Sequence, residues 1–263
     1  MNKIHPLASV SPNAKLGDNI EIGPYAFIDD NVEIGDGCHI FPHAVIFPYV
    51  KMGKDCTVYP GAVVGATPQD LKFEGEVTYV EIGDRVTIRE CATINRGTQA
   101  SGKGVTRVGS DTLLMSYTHV AHDCRVGNHC ILVSYVGIAG ETDVDDWAII
   151  GGQTGVHQFS HVGCHAFVEG TSKVDKDVPP FVLAGRTPLS FCGVNHVGLR
   201  RRGFSDERIN AIKDIYETLY NGGMNFTDAC AYVEEHFPES EDRDLILGFV
   251  RGSKRGVIGR IRR

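Results

Sequence analysis

The sequence has no CxxC pair, a single tryptophan, and no uninterrupted apolar run near the roughly 18 residues of a membrane-crossing helix. The first absence argues against a structural zinc site. The eight cysteines are sparse for a chain this long, so a disulfide-stapled secreted scaffold is not expected. No continuous apolar stretch near the start reads as a secretory signal. Basic residues are outnumbered, 26 Lys and Arg against 33 Asp and Glu, and the formal net charge of -7 disfavours a nucleic-acid partner for the whole chain. The 31 glycines lack the every-third-residue spacing of collagen. What is present is a 263-residue chain that is 42% hydrophobic and 22% charged, enough apolar material for a core. These observations point to a soluble, reduced, cytoplasmic protein without a transmembrane segment.

The apolar residues repeat every six positions. One run steps from Val10 through Leu16, Ile22, Ile28, Ile34, Ile40, Ile46, Met52 and Val58 to Val64. A short run holds Ile82, Ile88 and Ile94, and a third steps from Val108 to Val174 without a polar interruption. A helix would repeat its apolar face every 3.6 residues and a lone strand every two. Period six fits a short strand plus a turn, three times per coil, which predicts a left-handed parallel β-helix of about eight coils. Four residues after each aliphatic lies a slot of small or β-branched residues, which includes Cys38, Cys56, Cys124 and Cys130; these thiols read as packing. Glycine often follows the aliphatic, as at Gly35, Gly109 and Gly127, and is expected to support the corners.

The register breaks at 66–79 and 96–107, two polar excursions of the kind that often carries function. After Pro179-Pro180 the hexads stop. Ser205 reads as the N-cap of a helix that ends at Gly222-Gly223; a second helix is expected from Thr227 or Asp228, and a third from Asp242 to Val250. The fold class is therefore mainly β, a β-helix over 1–190 followed by a small α-helical domain over 191–263. The stretch from Arg251, with Lys254, Arg255, Arg260, Arg262 and Arg263, reads either as a solubilising tail or, with Arg200, Arg201 and Arg202, as a basic patch.

In an uninterrupted β-helix, residues 18 apart stack in columns. His122, Gly140 and Gln158 share one; His119, Gly137 and Gly155 another; Asp123 and Glu141 a third. A histidine beside a carboxylate suits general-base work near neutral pH, and a glycine N–H above it suits an oxyanion. His39, His43, His129, His161 and His165 read as solvated or interface side chains, and an interface zinc site is not convincingly patterned. Several aromatics, among them Tyr25, Phe41, Tyr117 and Tyr135, fall outside the inward slots and are expected in part to cover a subunit interface.

The segments PQDLKF (68–73), INRGT (94–98), VGSDTLLM (108–115), HVAHDC (119–124), VHQF (156–159), DVPPFV (177–182) and GVNHVGLRRRGFS (193–205) closely resemble the UDP-N-acetylglucosamine O-acyltransferases of lipid A synthesis, across nearly the whole chain. The resemblance implies transfer of an (R)-3-hydroxyacyl chain from acyl carrier protein to the 3-hydroxyl of UDP-N-acetylglucosamine, without a cofactor or metal, in a homotrimer. It implies His122 as general base, Asp123 as its orienting partner and Gly140 as oxyanion donor. Gln69, Asp70, Lys72, His119, His157, Gln158, Asn195, Arg201 and Arg202 match substrate-binding positions, and Gly170 matches a limit on acyl length. Glu141 and Val197 depart from the family pattern, which carries His and Glu there, and Asn95 stands where some relatives have His. The alternatives are a related hexapeptide N-acyltransferase, use of the 3-amino sugar nucleotide, a γ-class carbonic anhydrase, and a non-catalytic β-helix scaffold.

Overall fold

The computed structural model describes residues 1–260. Among these, short strands stack into three sheets of twelve, nine and eight strands, designated faces A, B and C. Successive strands visit the faces in turn: Ile131–Leu132 on A, Gly137–Ile138 on B, Asp143–Val144 on C, and Ile149–Ile150 on A again. The step between paired residues is one coil, as in Leu132↔Ile150 and Ile138↔Val156. This is the parallel β-helix that the hexads predict. The aliphatic ladders are its core: Ile28, Ile40, Ile88, Leu132, Ile138 and Ile150 are essentially without solvent contact. Each such side chain contributes roughly 1.5–3 kcal/mol of burial. The inward cysteines pack as expected. Cys38, Cys56, Cys124 and Cys130 are buried, and burial pushes the Cys124 and Cys130 thiols up to about 12, so neither is a reactive thiolate near neutral pH.

The glycines after the aliphatics do not supply the corner geometry. The residues in the left-handed region lie further on and are mostly not glycine, for example Tyr25, His43, Asp123 and Glu141 at φ 61°, 61°, 61° and 57°. The glycines are needed because adjacent coils nearly touch: a Cβ on Gly109 would sit 2.7 Å from the Asn128 nitrogen.

Both excursions leave face B and return on face C. The first lies between Val63–Ala66 and Tyr79–Ile82, the second between Thr93–Asn95 and Val105–Val108. On face A, Val58 pairs with Ile88 and Ile88 with Leu114. These steps of 30 and 26 residues replace the usual 18, so the excursions add 12 and 8 residues to their coils. Tyr79 and Val105–Arg107, at the expected loop ends, are paired strand instead.

The ladder continues past Pro179-Pro180. Val182–Gly185 pairs in parallel with Phe167–Val168, and Ser190–Val194 returns antiparallel to it. Four helices follow: α1 (His196–Arg201), α2 (Asp206–Asn221), α3 (Phe226–His236) and α4 (Glu241–Gly252). Ser205 caps α2 and Gly222 ends it, as the sequence predicts. The cap of α3 is Asn225, earlier than expected, because its side chain accepts from the Asp228 N–H at 2.9 Å. α1 was not anticipated; it is a short turn held by Asn195, whose side chain accepts from Gly198 N–H at 3.2 Å.

The segment after α4 is no loose tail. Ser253 Oγ donates to Asp177 at 2.6 Å, Ile258 N–H donates to Asp177 O at 2.9 Å, and Gly259–Arg260 pairs with Ser190–Phe191. Val257 and Ile258 are buried. The segment supplies backbone pairing and apolar surface to the last coil, while Arg251, Lys254 and Arg260 stay exposed. Arg262 and Arg263 lie outside the described residues. The expected basic patch is also partly neutralised: Arg200 pairs with Asp206 at 2.8 Å and Arg251 with Glu234 at 2.6 Å.

Candidate active site

The corner from which both excursions leave is also where His122 sits, between strands His119–Val120 on face B and Arg125–Val126 on face C. Both loops therefore fold over this corner, Asp70 of the first reaching His122 and Thr98 of the second reaching Asp123. His122 Nδ1 is 2.8 Å from Asp123 Oδ2. The Asp123 carboxylate is fully buried and accepts from the Thr98 N–H at 3.0 Å and the Thr98 hydroxyl at 2.8 Å. A carboxylate is an acceptor, so His122 carries its proton on Nδ1 and presents the Nε2 lone pair. Nε2 faces Asp70 of the first excursion, with 3.8 Å between it and Oδ2. Lys72 N–H holds the Asp70 side chain from the same loop at 3.0 Å.

Gly140 lies one coil along. A Cβ built there would collide with the His122 ring, so only glycine leaves the imidazole in place. The Gly140 N–H makes no hydrogen bond among the described residues. His119 is half-buried with Nδ1 2.7 Å from Thr93 Oγ1; burial, then the proximity of His122, lowers its pKa. The arrangement is a base with a fixed tautomer, an unpaired N–H one coil away, and a second imidazole favoured in its neutral form. It suits proton removal from a hydroxyl with stabilisation of a developing oxyanion.

Residues 177–258 match the family described as "Udp N-acetylglucosamine O-acyltransferase; Domain 2", and residues 106–140 match the bacterial transferase hexapeptide repeat. The acyl-[acyl-carrier-protein]–UDP-N-acetylglucosamine O-acyltransferase of Paracidovorax citrulli is 51% identical, over 98% of this chain and 99% of its own. That of Leptothrix cholodnii is 46% identical, over 98% of this chain and all of its own. The solved structure of the UDP-N-acetylglucosamine acyltransferase from Bacteroides fragilis superposes with a TM-score of 0.94 at 47% identity, over 97% of this chain and 99% of its own.

The chain belongs to the UDP-N-acetylglucosamine O-acyltransferase family.

Not all residues matched to this acyltransferase family converge within one chain. His122, Asp123, Gly140, Asp70 and His119 gather at the B–C corner, with Gln69 and Lys72 exposed on the loop beside it. Gln158 lies a second coil along the His122 column, and the His157 ring is 2.9 Å from its carbonyl. Gly170 lies at another corner, between Phe167–Val168 on face A and Lys173–Val174 on face B. Asn195 and Arg201 border a cavity of about 290 Å³ over face A, floored by Ile149, Phe167 and Leu183. Asn195 is committed on both sides of its amide, since its Nδ2 also donates to His165 O at 3.0 Å.

Arg202 lies over the Trp147 ring, 5.3 Å from its centroid, and donates to His165 Nδ1 at 3.2 Å. His165 is consequently no free side chain: it stacks between Trp147 and Phe181, and burial followed by the charges of Arg202 and Arg208 lowers its pKa to about 4. The other four histidines expected to be solvated or at an interface are outward: His39 stacks on Phe41, His43 on Tyr25 and His129 on Trp147, and His161 pairs with Asp145 at 2.7 Å.

Sequence reasoning missed the outward ladder of face A. Leu113, Ile131, Ile149, Phe167 and Leu183 stack there on successive coils, each half-buried. Its signal is an aliphatic or aromatic one residue before the inward position, recurring once per coil beside the stronger period-six inward ladder. Thr98 was also missed as a partner of Asp123, although the INRGT segment that ends on it was noted.

Proposed function

We propose that this chain transfers an (R)-3-hydroxyacyl group from acyl carrier protein to the 3-hydroxyl of UDP-N-acetylglucosamine, the first step of lipid A synthesis, and that His122 is its general base. The observation that carries the mechanism is the 2.8 Å contact between His122 Nδ1 and Asp123, which leaves Nε2 to accept a proton. In the step, the sugar hydroxyl oxygen attacks the thioester carbonyl while Nε2 takes the hydroxyl proton. The buried Asp123 carboxylate stabilises the imidazolium that forms. The tetrahedral oxyanion takes the Gly140 N–H. Collapse breaks the carbon–sulfur bond, and the carrier's thiolate leaves with the proton returned by His122. No acyl-enzyme forms and no cofactor takes part.

Asp70, Gln69, Lys72 and His119 border the reacting end of the acceptor in this reading, and His157 and Gln158 lie further along the groove. Asn195, Arg201 and Arg202 belong to the nucleotide side, and Gly170 to the far end of the acyl chain. These groups occupy different corners of one prism, and the apolar ladder on face A needs a cover. Both features support a homotrimer in which the B–C corner of one subunit works beside face A of the next. The reaction draws on soluble substrates, which fits a cytoplasmic enzyme.

The test is acyl transfer in vitro with UDP-N-acetylglucosamine and (R)-3-hydroxyacyl carrier proteins of several chain lengths, with His122→Ala run alongside. Product from the wild type and a loss of at least about 100-fold in the variant are expected. Equal turnover by both proteins would remove His122 as the base. A wild type that acylates only the 3-amino acceptor would move the reaction to that sugar.

A further inference from the structure

We infer that Thr98 is a positioning residue for the acyl transfer, and that the second excursion exists to hold Asp123 rather than to bind substrate. This rests on the assignment of His122 as base. Asp123 is completely buried in a corner at φ 61°, a costly place for a charge unless every lone pair is met. Among the described residues, its carboxylate contacts come from Thr98 and His122. His122 takes one direction, at 2.8 Å. Thr98 takes the rest, through its N–H at 3.0 and 3.1 Å to the two oxygens and its hydroxyl at 2.8 Å to Oδ2.

The backbone of Asp123 is tied to the same excursion and the strand that follows it. Its N–H donates to Thr106 Oγ1 at 2.8 Å, and its carbonyl accepts from Lys103 Nζ at 3.3 Å. Thr98 in turn is fixed: it is buried, and its hydroxyl and carbonyl accept from the N–H and hydroxyl of Ser101 at 3.3 and 3.0 Å. The excursion adds only 8 residues to its coil, from the step Ile88↔Leu114 of 26 against 18. It therefore closes tightly on the corner instead of reaching away from it.

The consequence is chemical. Oδ2 is shared between the Thr98 hydroxyl and His122 Nδ1. Two donors on one oxygen limit how far its charge leans toward the imidazole, while the N–H contacts fix the carboxylate plane that orients the ring. Removing the hydroxyl leaves a looser carboxylate that favours imidazolium more strongly in the free enzyme. The titrating or charged neighbours of His122 are Asp123, Asp70 at 3.8 Å, His119, Glu141 one coil along, and Lys103 beyond Asp123. Of these groups, Asp123 is the one that Thr98 bonds directly.

The experiment measures kcat, KM for both substrates and the pH dependence of kcat/KM in the full-length wild type and in Thr98→Val, Thr98→Ser, Thr98→Ala and His122→Ala. Thr98→Val is expected to lower kcat by about 10-fold, with KM within about twofold, and to move the acid limb up by about half a pH unit. Thr98→Ser, which keeps the hydroxyl, is expected to restore both. If the valine does not fold, Thr98→Ala against Thr98→Ser isolates the same hydroxyl. A valine variant with wild-type kcat and acid limb overturns the proposal, as does a serine variant no better than valine or alanine. His122→Ala separates the positioning role from the general base. If it is inactive while Thr98→Val is unimpaired, only the positioning role falls; if it is active, the general base falls too.

Discussion

The Nδ1 atom of His122 stands 2.8 Å from Oδ2 of its chain neighbour Asp123, a contact made possible because Asp123 occupies the left-handed corner at φ 61°. Adjacent side chains in an extended strand point to opposite faces; at this corner the turn brings the two around to the same side.

The pair is expected to act as a unit. His122→Ala should lower kcat by about 10²–10⁴-fold, and Asp123→Asn by roughly 10²-fold. The double variant should be no worse than His122→Ala, because the orienting group has nothing left to orient. Steady-state kinetics on the three proteins check this; additive losses would mean that the two residues act separately.

Gly140→Ala tests the neighbouring coil. Its methyl would occupy space now held by the His122 ring. The ring must swing away while the aliphatic ladders stay intact. A loss of about 10²-fold or more in kcat is expected, with a melting temperature within a few degrees of wild type. Full activity would show that neither the ring position nor this N–H matters.

Mixed assemblies test the shared site. His122→Ala alters the B–C corner and Arg201→Ala the cavity over face A. Co-expressed with different tags and purified for both, the two inactive chains should regain activity, up to about a third of wild type if one intact interface per mixed trimer works independently. Verified mixed trimers with no recovery would place both groups in one subunit's site.

Acid stability should depend on His165. Its folded pKa of about 4 lies below the roughly 6.5 of an unfolded histidine, so the unfolded chain binds the extra proton first. Stability contributed by the neutral ring is complete above about pH 6.5 and is lost as pH falls toward 4. The loss is on the order of 2 kcal/mol, allowing for partial exposure. Denaturant unfolding of wild type and His165→Phe between pH 7 and 4 reads it directly, and equal slopes in the two proteins would assign the acid sensitivity elsewhere.

Truncation after Gly252 removes Val257 and Ile258 from the core and leaves Asp177 without the Ser253 hydroxyl. Roughly 3–5 kcal/mol of burial goes with them, so a lowered melting temperature is expected before any effect on carrier binding can be read. Val257→Ala with Ile258→Ala should reproduce most of the loss in the full-length chain. An undisturbed melting curve in the truncated protein would return these residues to the role of a tail.

The sequence by itself determined the coil. Period-six aliphatics fit a short strand plus a turn, three times per coil, so the ladders within each run, the inward packing of Cys38 and Cys124, and the stacking of His119 on Gly137 follow from spacing. The start of α2 was equally legible, since Ser205 caps it from within three residues. Tertiary structure decided the rest. Thr98 meets Asp123 across 25 positions, Asp177 meets Ser253 across 76, and Tyr220 donates to Ile258 O at a separation of 38. No local preference specifies such partners. A polar side chain finds whichever donor the packed backbone brings within about 3 Å, and that choice exists only once the coils are stacked.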